Sequence, residues 1–225
     1  MARRSEPLPP PLPPETRTVG QLVAESVRLY QRRFWASLAL GLGPGVVGVS
    51  IAALPRWADL AFVLSAGALL MTGSYVGATA IAADVRPHGR AIVEALAAGL
   101  VVFVPVPFLV SLLLLPAVAW LALVGLVVPV LVIERPGLRA AFRRAVQLAR
   151  ADYVHALGSL AALAIVALLT SSVLFFLLRG QAEAALAVAA FLALLVISPL
   201  LFLGAALLYY DQAARVRVGG RVDSA

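Results

Sequence analysis

The chain has 225 residues, of which 62% are apolar and 13% are charged, whereas an ordinary soluble domain has about 25% charged residues. This composition leaves too few polar side chains to cover a core of that size and argues against a soluble globular enzyme. All 18 basic residues are arginine, the net charge is +7, and the absence of cysteine excludes disulfides and thiolate chemistry.

The N-terminal segment is rich in arginine and proline, and residues 9–14 read PPPLPP. Such a segment favours polyproline II backbone and cannot build a core. We therefore predict a disordered, Pro-rich cytoplasmic tail over residues 1–17, with a Pro-rich ligand for a partner domain as the alternative. No secretory signal is evident, because the first long apolar run starts near Phe34.

Five uncharged runs follow the tail, at 34–55, 60–83, 95–133, 153–178 and 184–210. The run over 95–133 would make a helix of about 58 Å, nearly twice the hydrocarbon thickness of a bilayer. Pro116 lies near its middle and disfavours helix in the residue before it. We therefore divide this run into spans 95–115 and 116–133.

These divisions predict an all-α fold, a polytopic membrane bundle of six transmembrane helices over residues 18–213. A cytoplasmic tail over 214–225 completes the chain. The arginines support six spans, because this topology places 16 of them on one side of the membrane and leaves Arg56 and Arg179 on the other. A five-span topology would place nine on each side. By the positive-inside rule we expect a multi-pass protein of the bacterial inner membrane with both termini in the cytoplasm.

Two segments outside the spans have helical periodicity with one apolar face, at 19–34 and 138–150. Thr18 and Gln21 have the spacing of a capping box, which predicts a helix start. Such amphipathic helices can lie in the membrane interface with their cations toward the headgroups. The predicted contacts to anionic lipid or to a protein partner are Arg28, Arg32, Arg33, Arg139, Arg143, Arg144 and Arg150.

Two carboxylates lie where predicted spans meet the cytoplasm. Glu134 ends the fourth span and Asp211 follows the sixth, each with arginines nearby. We predict that both form ion pairs at helix ends, with Arg139 and Arg215 as the suggested partners.

The order of these segments resembles the membrane domain of glycerophosphoryl diester phosphodiesterases and related six-span bacterial membrane proteins. Four segments within about 18–213 carry the resemblance, at 18–35, 128–134, 140–150 and 206–211. Some members of that family have a soluble phosphodiesterase domain after the membrane part. Only 14 residues follow Asp211, so we expect no such domain here and carry over no catalytic residue.

Few motifs point to chemistry. His88 and His155 lie outside any HExxH motif, the lack of lysine excludes a GxxxxGK[ST] phosphate loop, and no GxSxG motif occurs. We therefore predict no catalytic residue, cofactor or metal. Polar side chains do occur within the predicted spans and fit either packing between helices or a polar path: Thr72, Ser74, Tyr75, Thr79, Ser111, Thr170, Ser171 and Ser172.

The functional expectation is a non-enzymatic membrane scaffold that contacts lipid or a partner. The expected partners are membrane lipids, anionic ones on the cytoplasmic face, and not nucleic acid. A homo-oligomer or another membrane protein as partner stays open. The alternative is a small-molecule transporter or permease subunit, which the prolines and hydroxyl side chains within the spans suggest.

Overall fold

A computed structural model describes residues 14–178 and 183–222, and this part of the chain is helical almost throughout. A 3-10 turn, Pro14–Thr16, comes first, and a π-helical turn, Val63–Gly67, joins α4 to α5. The α-helices are α1 Val19–Arg32, α2 Phe34–Ala39, α3 Leu42–Ala53, α4 Arg56–Phe62, α5 Ala68–Ala83, α6 Gly89–Phe103, α7 Val106–Leu112, α8 Leu114–Val124, α9 Val127–Ile133, α10 Leu138–Ala151, α11 Tyr153–Leu178 and α12 Glu183–Val222.

The described residues contain six helical segments that are long and apolar enough to cross a membrane. This confirms the predicted all-α bundle with six candidate spans. The segments are Phe34–Ile51, Arg56–Ala83, Gly89–Leu112, Leu114–Ile133, Tyr153–Val173 and Ala187–Arg217.

Several helices continue past the ends of the uncharged runs. α6 begins at Gly89, before the predicted span start at 95, and an ion pair of 2.9 Å between Arg90 and Glu94 supports its first turns. α12 continues to Val222, so residues 214–222, predicted as a tail, are helical. The charged residues that bound the uncharged runs therefore do not end these helices.

The break between the third and fourth spans lies at Leu113 rather than at the predicted 115/116 boundary. Leu113 is extended, with φ −168° and ψ 159°, and α8 resumes at Leu114. Pro116 is therefore in the first turn of α8. The first N–H groups of a helix have no partner within it, so proline costs little there.

The end of the predicted disordered tail is ordered. Residues 1–13 lie outside the described residues, but the Pro14–Thr16 turn packs against α12. Arg17, which follows it, bonds to Asp211 of α12. The final residues of the Pro-rich segment are thus part of the bundle.

α12 is the central packing element and contacts α11, α3, α5 and α1. Its approach to α3 depends on glycine. A Cβ added at Gly41 would lie 2.0 Å from the carbonyl oxygen of Leu195, and one at Gly45 would lie 2.8 Å from the ring of Phe191. The Gly41-x-x-x-Gly45 pair therefore faces a helix of the same chain, and such small-residue contacts let membrane helices pack closely.

The contact between α3 and α12 yields a stability prediction. Gly41→Ala forces the backbones apart, and we expect it to lower the free energy of unfolding by about 1–3 kcal/mol, the usual range for overpacking. The matched control is Gly73→Ala, because a Cβ there has nothing within 4 Å. Thermal unfolding in detergent micelles measures both, and equal midpoints for the two variants would contradict this account of the packing.

Candidate functional site

A network of charged and polar groups forms where the start of α1, the α10–α11 junction and the last turns of α12 meet. We call it the polar cluster; its members are Arg17, Asp152, His155, Asp211, Gln212 and Arg215. The Arg17 guanidinium Nη1 donates to Asp211 Oδ1 at 2.8 Å, and the exposed fractions of these two side chains are 11% and 0%. The central pair is therefore largely removed from solvent.

The rest of the network joins the same elements. Asp152 accepts from the backbone N–H of His155 at 2.9 Å, which caps the start of α11, and it also pairs with Arg215. Gln212 donates to the carbonyl of Asp152 at 3.0 Å, and Arg215 donates to the carbonyl of Arg17 at 3.2 Å. Every link of the cluster thus joins segments that are distant in sequence or caps a helix.

Several buried polar atoms of the cluster lack a hydrogen-bond partner. His155 Nε2 lies 3.6 Å from Asp211 Oδ2, and neither atom has a hydrogen-bond partner among the described residues. The same holds for the Gln212 oxygen and Arg215 Nε. Desolvating charges is costly, and removing one partner from such a group leaves an uncompensated charge. The cluster therefore adds little net stability, although removing one of its charges is costly.

A second polar group lies around Glu134, at the end of α9. Glu134 accepts from the Tyr209 hydroxyl at 2.7 Å and from Arg144 Nε at 3.2 Å, and Arg144 also donates to Gln147 at 2.9 Å. These bonds join α9, α10 and α12.

Both carboxylates predicted to pair at helix ends do form ion pairs, but the suggested partners were wrong. Glu134 pairs with Arg144 rather than Arg139, and Asp211 pairs with Arg17 rather than Arg215. Proximity in sequence suggested the partners, whereas the packing of α10 on α9 and of the N-terminal segment on α12 selects them.

The arginines in and just after α1 form ion pairs with two acidic residues. Arg28 and Arg32 pair with Glu25 at 3.5 and 2.7 Å, and Arg33 pairs with Asp84 at 3.0 Å. The capping box predicted at Thr18 is present. Burial raises the pKa of the Tyr30 hydroxyl at the end of this helix above its ordinary value.

The arginines of α10 differ. Arg139, Arg143 and Arg150 are exposed, and within the part of the chain that the structure describes no carboxylate pairs with them. We call these three residues the α10 arginine face.

The opposite faces of α1 and α10 are covered by the bundle. Leu22 and Ser26 of α1 are fully buried, as are Ala141, Ala145 and Leu148 of α10. α1 packs on α11 and α12, and α10 packs on α8, α9 and α12. The apolar faces of these helices therefore contact the rest of the bundle, and only their polar faces are available to other partners.

Four of the eight span hydroxyls seen in the sequence bond within their own helices. Each of these four donates to the carbonyl four residues earlier, at 2.7–2.9 Å. This pattern is typical of packing in membrane helices. The hydroxyls bonded in this way are those of Thr72, Thr79, Ser111 and Thr170.

Within residues 14–178 and 183–222, no three His, Asp or Glu side chains are grouped so that they could hold a metal ion. No protein-family model matches the chain, and no curated protein or solved structure matches it. The resemblance to the phosphodiesterase membrane domain thus rests on the four sequence segments alone and stays a prediction.

The Arg17–Asp211 pair yields the second prediction. Asp211→Asn leaves Arg17 without its buried counter-charge, and we expect a loss of about 3 kcal/mol in unfolding free energy, as for other broken buried pairs. The N-terminal segment should detach, so tryptic cleavage after Arg17 should increase. Limited proteolysis followed by mass spectrometry measures this, with cleavage after the exposed Arg139 as the internal reference.

The control for this experiment is Glu25→Gln. It removes a carboxylate from the exposed pairs on α1, which contribute less than about 1 kcal/mol. Its cleavage after Arg17 should equal that of the unaltered protein. Equal cleavage in Asp211→Asn would show that the pair does not anchor the N-terminal segment.

Proposed function

We propose that this protein is a non-enzymatic multi-pass protein of the bacterial inner membrane that binds anionic phospholipid headgroups through the α10 arginine face. One observation carries the proposal: three exposed arginines on one helix lack an acidic partner in the described part of the chain. Unpaired guanidinium groups keep their full capacity to bind phosphate, often with two parallel hydrogen bonds.

The position of α10 supports lipid as the partner. The helix lies between the end of the fourth candidate span at Ile133 and the start of the fifth at Tyr153. Its arginines therefore lie close to the depth at which helices leave hydrocarbon, which is where headgroup phosphates are found. Basic residues on the cytoplasmic surface of a membrane are attracted to its anionic lipids.

α1 provides an internal comparison. Three arginines also lie in or just after α1, before the first candidate span, but Glu25 and Asp84 already pair with them. We therefore assign lipid binding to Arg139, Arg143 and Arg150 rather than to Arg28, Arg32 and Arg33.

The third prediction tests this assignment. In the triple variant Arg139→Gln, Arg143→Gln, Arg150→Gln, the preference for phosphatidylglycerol over phosphatidylcholine should fall about tenfold or more, because each arginine near an anionic surface contributes on the order of 1 kcal/mol. Native mass spectrometry of the protein released from mixed micelles measures the lipids retained.

The matched control is the double variant Arg28→Gln, Arg32→Gln on α1. We expect it to lose less of the preference than the triple variant does, because both residues are held in ion pairs with Glu25. If both variants lose the preference equally, the paired and unpaired arginines are equivalent and the assignment to α10 is wrong. If the unaltered protein has no preference, the proposed function fails.

The proposed orientation, with both termini in the cytoplasm, gives the fourth prediction. The chain has no cysteine, so one introduced cysteine reports one position. In right-side-out spheroplasts a membrane-impermeant maleimide should label Arg56→Cys, whereas His88→Cys and Arg139→Cys should react only after lysis. Labelling of Arg139→Cys in intact spheroplasts would overturn the orientation.

Transport of a small polar molecule was the alternative expectation, and the geometry favours it less. Four of the eight span hydroxyls donate to carbonyls of their own helices. The polar cluster lies at one end of the bundle and is closed by its own ion pairs. A scaffold that binds lipid requires neither a polar path nor a central charged group, and it agrees better with this arrangement.

A further inference from the structure

A cavity of about 220 Å³ lies inside the bundle between α5, α6, α7, α8, α11 and α12. Its inner wall includes the rings of Tyr75, Phe103 and Phe202, whose centroids are 6.0–6.5 Å apart. It is separate from the polar cluster and from the α10 arginine face, since none of their residues lines it.

The lining of the cavity is apolar. Tyr75 is the one lining residue with a polar side chain; all others are aliphatic, methionine, phenylalanine or glycine. In a soluble protein, an apolar cavity of about 150 Å³ stays dry and takes up benzene. The present cavity is larger, so its chemistry favours a hydrocarbon occupant over water or a polar solute.

The mouth of the cavity lies beside α7. This helix packs on α8 and α6. Two residues that line the cavity, Val110 of α7 and Leu114 at the start of α8, are 48% and 40% exposed and mark the mouth. Between them the turn from α7 to α8 is formed by exposed leucines, with Leu112 72% and Leu113 69% exposed. The apolar surface around the mouth is therefore exposed on the outside of the bundle.

The mouth faces membrane hydrocarbon. No charged residue occurs between Glu94 and Glu134. From Ala95 to Leu112 the helical rise is about 27 Å, close to the thickness of the hydrocarbon core. The turn at Leu113 therefore lies at the far side of the hydrocarbon, and no charged loop covers it. A molecule that enters the cavity through this mouth comes from among the lipid chains.

We propose that this cavity binds one acyl chain of a phospholipid from the leaflet opposite the α10 arginine face. A helix of a partner protein, about 10 Å wide, is too large for it. Because the mouth carries no charged side chain, the headgroup contributes nothing to recognition. This site therefore takes zwitterionic and anionic phospholipids equally, unlike the site on α10.

The test uses the full chain in nanodiscs that contain phosphatidylcholine with a photoactivatable diazirine on one acyl chain. After irradiation, mass spectrometry maps the labelled residues. We expect label on Tyr75 and Phe202, which are only 3% and 7% exposed and meet lipid only from within the cavity. Label confined to outward residues such as Phe108 and Leu112 would overturn the proposal.

Two variants close the cavity in different ways. Ala205→Phe fills it from α12, and Val110→Trp narrows its mouth at an exposed position where the packing of the core is unaffected. Each should reduce labelling of Tyr75 and Phe202 at least fivefold. The matched control, Ala190→Phe, makes the same change at an exposed position of α12 outside the lining and should leave labelling unchanged. Labelling that persists when Val110→Trp folds normally would contradict entry at this mouth.

Three further arms identify the occupant and separate this site from the proposed function. Photoactivatable phosphatidylglycerol should label the cavity as well as phosphatidylcholine does, and the α10 triple variant should label as the unaltered protein does. Labelling that needs the anionic headgroup or the α10 arginines would refute a separate acyl-chain site. Labelling by a free diazirine fatty acid but by neither phospholipid would refute a phospholipid as the occupant.

Discussion

The carboxylate of Asp211 holds three separate parts of the chain together at one end of the bundle. Its pairing with Arg17 brings the N-terminal segment onto α12, and its proximity to His155 brings α12 onto the start of α11. In the hydrocarbon region helices have no hydrophobic force that selects one neighbour over another. A buried charge network supplies directional contacts that the spans themselves lack, and it joins the N-terminal segment, the α10–α11 junction and α12.

The number of spans could be predicted because bilayer thickness and the charge of the loops constrain it directly. Pro116 and the one-sided arginines were enough to divide the long run into two helices, although the break itself lies at Leu113. The uncharged runs predict which parts of the helices lie in hydrocarbon. They could not fix where helices end, as α12 shows, because an α-helix satisfies its own backbone in water as well as in lipid.

The polar cluster could be predicted only in part. Sequence position identified Glu134 and Asp211 as carboxylates at span ends. It could not identify Arg17 as the partner of Asp211, because 194 residues separate them and only tertiary packing joins them. Likewise, periodicity shows which arginines share a face, but only the contacts with Glu25 and Asp84 distinguish those of α1 from those of α10.

The leucine turn between α7 and α8 has a consequence for how the protein enters the membrane. Most pairs of spans must move a hydrated loop across the bilayer, and that transfer is costly. Here the connecting residues from Leu112 to Leu115 are all apolar, and the first charges on either side are Glu94 and Glu134. Spans three and four can therefore enter lipid together as one helical hairpin, with both of their charged ends on the same side of the membrane.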